Sequence, residues 1–271
     1  MNEKKLLLQQ AALNLLVAVT IVQPGLAATI ANSSESPHLQ AQLLAYEPPA
    51  RGAPGDRGDA GSRDDLHHFL ALIPALNLGL TAIAHPTFWL YLPAPFPDDI
   101  PLEFVLRDEE NQEVVFRTFF QLAKTAGLAS FFLPPNAPPL EIGKKYRWDF
   151  FCGNISRYGC VERVKLAPEI LIQLETASLR HRVLLLAKHG LWYDTITELV
   201  TLRDKLLSQL QVANLEERLM IYAENDLWYE ALAELTGFEK ISSLATLEAD
   251  WEALVQHPFV RLQEIVLEPF V

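Results

Sequence analysis

Two kinds of hydrophobic pattern divide this chain, and they exchange at Ala167-Pro168. From about Leu70 to Lys165, short aromatic and β-branched runs are broken by prolines and acidic clusters, which is strand chemistry. The runs predict strands over Phe88–Leu92, Leu102–Arg107, Glu113–Phe120, Leu128–Leu133, Lys145–Phe151 and Val161–Lys165. Val114, Phe116, Thr118 and Phe120 alternate with Val115, Arg117 and Phe119, so one face of that strand is apolar. Arg107 to Gln112 reads as a polar hairpin turn, and Pro134 to Pro139 as a rigid crossover that cannot continue a ladder. Several short strands at this spacing predict an immunoglobulin-like β-sandwich. Beyond Pro168 the residues are Leu, Ala, Glu, Lys and Arg with almost no Gly or Pro until Pro258, which is helix chemistry.

Inside the helical part, Ala187 to Leu199 aligns with Ala223 to Leu235 at a constant offset of 36 residues. Each copy runs through a turn into Leu-Trp-Tyr-acid, then places apolar residues at i, i+4 and i+7: Trp192, Ile196, Leu199 and Trp228, Leu232, Leu235. This resembles the inter-helix turn of tetratricopeptide repeats, and Trp192 and Trp228 are expected to fill equivalent core positions. Two copies are too few for a free-standing solenoid. They are expected to lean on the sandwich or on a last helix from Leu244 to Gln256.

The ends and the cysteines bear on location. Lys4 and Lys5, an apolar run from Leu6 to Val22, and Gly25-Leu26-Ala27 have the layout of a secretory signal peptide, assigned to 1–28 with cleavage between Ala27 and Ala31. The chain is then expected to lack a membrane span and to work in a periplasm or outside the cell. Two thiols there are expected to pair, and Cys152 and Cys160 read as the two sides of a hairpin closed by a disulfide. Residues 29–65 read as a flexible Gly/Pro-rich arm, 66–167 as the sandwich domain and 168–271 as the helical domain. The collagen-like period and the Arg57-Gly58-Asp59 tripeptide within the arm are read as linker sequence.

Composition narrows function. A chain that is 50% apolar and 10% aromatic has a packed core, and a net charge of −12 is repelled by nucleic acid and anionic lipid. No zinc-protease, serine-hydrolase, phosphate-loop or dinucleotide motif is present, so no catalytic residue, cofactor or metal is assigned. His67-His68 beside Asp64-Asp65 reads as a solvated cluster, and Asn154-Ile155-Ser156 is formally a glycosylation acceptor. His85, Phe88 and Trp89 form a candidate recognition edge, weighed against a hydrogen-bonded histidine followed by core aromatics.

Leu72 to Thr81, His85-Pro86-Thr87-Phe88-Trp89, Tyr91-Leu92-Pro93, Ala137 to Tyr146, Val161-Glu162-Arg163-Val164 and Leu191-Trp192-Tyr193-Asp194 follow in order after an Arg51-to-Gly55 arm. This set resembles the cyanobacterial domain of unknown function family 928. The resemblance implies no activity and supplies no site residue. The reading that results is an exported α+β protein, β then α, acting as a non-enzymatic protein-interaction or structural module with another envelope protein as partner. Two alternatives remain: an envelope hydrolase, which needs acidic residues of both parts in one cleft, and a sugar-binding module, which needs Trp89, Trp192 or Trp228 exposed.

Overall fold

The computed structural model describes residues 45–49, 69–74, 77–93, 101–121, 126–153, 155–236 and 244–257. The signal-peptide, His67-His68 and Asn154 readings lie outside these residues, as does the arm except for 45–49, where the flexible reading is corrected: Tyr46 is buried and Glu47 N bonds to Ala187 O at 3.1 Å. Strands come first and helices second, so the chain is α+β with the two kinds of element in succession. The strands are β1 (Leu70–Ala71), β2 (Leu78–Thr81), β3 (Thr87–Leu92), β4 (Leu102–Asp108), β5 (Val114–Phe120), β6 (Gly127–Phe132), β7 (Lys145–Cys152) and β8 (Ile155–Arg163). The helices are α1 (Pro168–Thr176), α2 (Leu179–Lys188), α3 (Trp192–Leu210), α4 (Leu215–Glu224), α5 (Trp228–Thr236) and α6 (Ala245–Gln256). Among the described residues no helix is long and apolar enough to cross a membrane.

The strands form two sheets, ordered β1-β3-β6 and β2-β8-β7-β4-β5. Every pairing is antiparallel except β2 with β8, which is parallel. Period-two alternation drives the two sheets together, because one face of each central strand is aromatic or aliphatic. Leu102, Phe104 and Leu106 of β4 and Trp148 and Phe150 of β7 are fully buried, facing Phe88 and Leu90 of β3 and Phe131 of β6. Phe104 and Phe131 have ring centroids 4.3 Å apart, and Phe88 packs on Trp148 at 5.3 Å. Such tilted pairs add about 0.5 to 1.5 kcal/mol each beyond the area they bury.

The outer face of the larger sheet is charged. Arg147 grips the buried Asp149 through Nη2 at 2.8 Å and lies 4.0 Å over the Tyr158 ring, while Arg117 is bonded to Glu103.

The predicted strands from Phe88 to Phe151 all exist, with ends shifted by a residue or so. The last one starts six residues earlier than expected, and β1 and β2 were not anticipated. β2 lies in Leu-Gly-Leu-Thr, where Gly79 weakens the strand pattern for a packing reason. A Cβ on Gly79 would stand 2.6 Å from Tyr193 Cε2, so glycine is what lets helix α3 approach the sheet.

The disulfide reading is overturned. Cys152 and Cys160 are both free thiols. In the β7–β8 ladder Cys152 is opposite Ile155 and Cys160 is opposite Arg147, five rungs away. Five rungs are about 17 Å, against a Cα separation of at most about 7 Å for a disulfide. Parity also puts the thiols on opposite faces: Cys152 shares the inner face of Trp148 and Phe150, and Cys160 the outer face of Arg147. The short spacing suggested a closed hairpin mouth, but the strands turn at Cys152-Gly153, so the second cysteine sits far along the return strand. Burial pushes the Cys160 thiol up to about 11.

Gly79→Ala is expected to destabilise the protein by about 1 to 3 kcal/mol through overpacking against Tyr193, as read by denaturant unfolding. Gly143→Ala, where a Cβ meets nothing within 4 Å but the backbone has φ of +79°, separates overpacking from backbone strain because it leaves the sheet–helix contact intact.

Candidate interaction surface

The helical part is built from two copies of one hairpin, and the repeat extends further than the sequence alignment of 187–199 with 223–235. Helix α2 starts on Ser178, whose Oγ accepts from His181 N, and α4 starts on Asn214, whose side chain accepts from Glu217 N. Those residues are 36 apart, and both are N-caps of ordinary chemistry. Glu217 also reaches back to the Asn214 backbone, completing a capping box. Each hairpin then carries the same ion pair between its helices, Arg182 with Glu198 at 2.6 Å and Arg218 with Glu234 at 2.7 Å.

The turns are equally matched. Gly190 and Asp226 both have positive φ, +69° and +59°. Leu191 N bonds to Leu186 O at 3.0 Å and Leu227 N to Tyr222 O at 2.9 Å, the bond from the third residue past a helix end back to its last turn. This is a Schellman stop, which needs a residue tolerant of the left-handed region; glycine has no Cβ penalty there and Asp a small one.

Out of each turn comes Trp-Tyr-acid, and the acidic residue does the same work twice. Asp194 accepts from Thr81 Oγ1 at 2.5 Å and from Ala82 N at 2.7 Å. Glu230 accepts from Thr246 N at 2.5 Å and Thr246 Oγ1 at 2.8 Å. In the first copy the threonine ends strand β2, so the carboxylate ties helix to sheet. In the second it lies in the first turn of α6, so the carboxylate caps that helix, where negative charge is favoured. A second tie holds α6 to the first hairpin: buried Arg180 bonds buried Asp250 through two nitrogens at 2.8 and 3.1 Å. The two supports anticipated for the repeats are therefore both used: the first copy leans on the sheets and on α6, the second on α6.

The other two residues of the first copy are also consumed by the sheets. Trp192 Nε1 donates to Leu72 O at 2.8 Å, and Tyr46 packs edge-on against its ring. Tyr193 OH donates to Cys160 O at 3.0 Å and accepts from Trp148 Nε1 at 2.7 Å. Burial raises the Asp194 carboxyl to about 6, and the hydrogen bonds from Ala82 and Thr81 pull against that rise.

The apolar stripes of the two copies part company. Trp192, Ile196 and Leu199 are 0, 2 and 0% exposed, whereas Trp228, Leu232 and Leu235 are 45, 45 and 47% exposed. The expectation that both tryptophans fill core positions is thus corrected for Trp228. Local sequence placed both at the same point of the same turn, but only the first copy has a sheet against that face. Helix α1 adds to the exposed surface, since none of its residues is buried and Leu171 and Ile172 are exposed. Ser178, the N-cap of α2, donates to Asp226 in the turn before α5 at 2.6 Å and so ties the start of the first hairpin to the turn of the second.

Of the candidate recognition edge His85, Phe88 and Trp89, only His85 and Trp89 are partly exposed, and each of the three is engaged within the fold. Phe88 is fully buried between the sheets, Trp89 Nε1 donates to Thr197 Oγ1 of α3 at 3.0 Å, and His85 Nε2 donates to Ala137 O at 3.1 Å. Among the described residues no group of three or more His, Cys, Asp or Glu side chains is placed to hold a metal ion.

The family profile of the Domain of Unknown Function (DUF928) matches residues 52–206 and 200–270. The chain belongs to that family. No curated protein matches it.

Two measurements check this geometry. Trp192→Ala is expected to cost about 3 to 5 kcal/mol of stability by denaturant unfolding, and Trp228→Ala less than about 1. Because the folded-state pKa of Asp194 lies above the ordinary 3.8, the acid contributes stability fully below about pH 4 and loses it as the pH rises through about 6. Comparing stability against pH for the wild type and Asp194→Asn should therefore show a difference that changes by on the order of 3 kcal/mol across that window. A constant offset would mean that Asp194 does not titrate there.

Proposed function

We propose that this is an exported, non-enzymatic envelope protein whose helical hairpins present a docking face to another envelope protein. In this reading the two sheets are an immunoglobulin-like sandwich, the hairpins are of tetratricopeptide type, the first 28 residues are an export signal, and the chain works in the periplasm or outside the cell. One observation carries it. The stripe that is buried against the sheets in the first copy is exposed as Trp228, Leu232 and Leu235 in the second. An exposed apolar stripe rimmed by polar residues favours a protein partner.

The hydrolase alternative is weakened by the state of its best candidate acid. Both oxygens of Asp194 are taken by Thr81 and Ala82, and the group is 4% exposed, so it has no free oxygen to offer a substrate. Of the three tryptophans considered as sugar platforms, Trp192 is buried and the Trp89 indole N–H is bonded to α3, so Trp228 would have to serve alone.

A photo-crosslinker placed at position 228 or 235 in the cell is expected to trap a defined envelope protein. Leu235→Asp should reduce its capture about tenfold without changing the unfolding midpoint. Val212→Asp, which changes an exposed residue after α3, should leave capture unchanged. No discrete adduct at 228 or 235, or equal capture by the Leu235→Asp chain, would overturn the proposal.

A further inference from the structure

The larger sheet treats its two edges differently. At one edge β2 is covered: Gly79 lies under Tyr193 and Trp192 of α3, and Thr81 is tied to Asp194. At the other edge is β5, and among the described residues no strand lies beyond it. A bare strand edge carries a row of backbone donors and acceptors and is a template for pairing unless it is guarded by proline, lysine, a bulge or shortness.

β5 has little of this protection. Val114–Phe120 is seven residues of Val, Phe, Thr and Arg with no Pro, Gly or Lys. The register shift against β4 falls between Leu106 and Arg107, beside the start of β5, and leaves Phe116–Phe120 in regular pairing. Its one charge, Arg117, is already bonded to Glu103 of β4 and so does not stand guard. Phe119 is 65% exposed on the outer face.

We propose that β5 pairs antiparallel with β5 of a second copy of this chain, centred on Thr118, joining the two five-stranded sheets across a two-fold axis. The residue pattern selects this register. Centred on Thr118, Arg117 lies opposite Phe119 of the second copy, a cation over an aromatic ring, and Phe116 lies opposite Phe120 of the second copy on the inner face. Along the outer face Glu103 pairs with Phe119 within one chain, so each cross-sheet row runs acid, aromatic, base. Centring on Arg117 instead would put two guanidinium groups directly opposite, which is unfavourable. The edge strand of the second sheet lies against it on the inner face: Phe131 of β6 packs on Phe120 with centroids 4.8 Å apart. The inner-face residues of β5 are thus held in place by the second sheet, which fixes the edge that the second copy would pair with.

Sedimentation velocity on the full chain over an about hundredfold concentration range should show a monomer–dimer equilibrium, and Phe119→Lys should weaken it about tenfold or more with the unfolding midpoint unchanged. Hydrogen exchange should show Phe116–Phe120 amides gaining protection with concentration. In a Cys152→Ser, Cys160→Ser background, Thr118→Cys should yield a reducible covalent dimer because position 118 faces its own copy. Val114→Cys, displaced eight residues from its copy in this register, should not. A chain that stays monomeric throughout, a dimer that Phe119→Lys leaves intact, or cross-linking through position 114 as efficient as through 118 would each overturn the proposal.

Discussion

A carboxylate with almost no water around it joins the two halves of this molecule. Asp194 sits at the third position of α3 and accepts from the hydroxyl and backbone that end β2. Those two bonds would be worth little on a surface, but removing either donor would leave a buried acid unsatisfied, which makes the contact obligatory in both position and angle. The neighbours complete the joint. Trp192 donates into the chain before β2, and Tyr193 bridges Trp148 and the β8 backbone. Three consecutive residues thus reach three separate parts of the β-layer. The strands and helices consequently share one continuous cluster of buried residues, even though secondary structure changes at Pro168.

The same three-residue step, repeated 36 residues later, meets different surroundings. Glu230 keeps the logic of Asp194 by gripping a threonine hydroxyl and amide, yet it grips a helix start where Asp194 grips a strand end. Local physics is therefore conserved between the copies: the caps, the left-handed stop, the interhelical Arg–Glu pair and the buried acid. What differs is the partner of the tryptophan stripe, supplied by the sheets in one copy and left exposed in the other. Duplicated local structure with an unduplicated neighbour leaves the second stripe exposed, and this asymmetry is what the proposed docking role rests on.

Much of this is legible in the sequence. Alternation in Val114–Phe120 and the aromatic run Tyr146–Phe151 located strands because period two is a local property. Pro168 was legible as a helix start because its ring fits the first turn. The failures have a common cause. Burial of Trp228, pairing of Cys152 with Cys160 and the role of Asp194 all depend on what lies opposite in space. The cysteine spacing, eight residues, is short along the chain but long along an antiparallel return strand. β2 was hidden because Gly79 serves an approach by α3 that begins more than a hundred residues later. The Arg182–Glu198 and Arg218–Glu234 pairs carry a usable signal, since both partners recur at the repeat offset, as do the N-caps Ser178 and Asn214.

The central claim is that the Trp192-Tyr193-Asp194 step makes sheets and first hairpin a single cooperative unit. Native-state hydrogen exchange against denaturant tests it most directly, because it resolves the opening energy of each element. The account predicts that amides in the middle of α3 and in β7 and β8 exchange with the same free energy and the same denaturant slope, as parts of one global opening. A separate, lower-energy opening of α3 with the β7 and β8 amides still protected would contradict it.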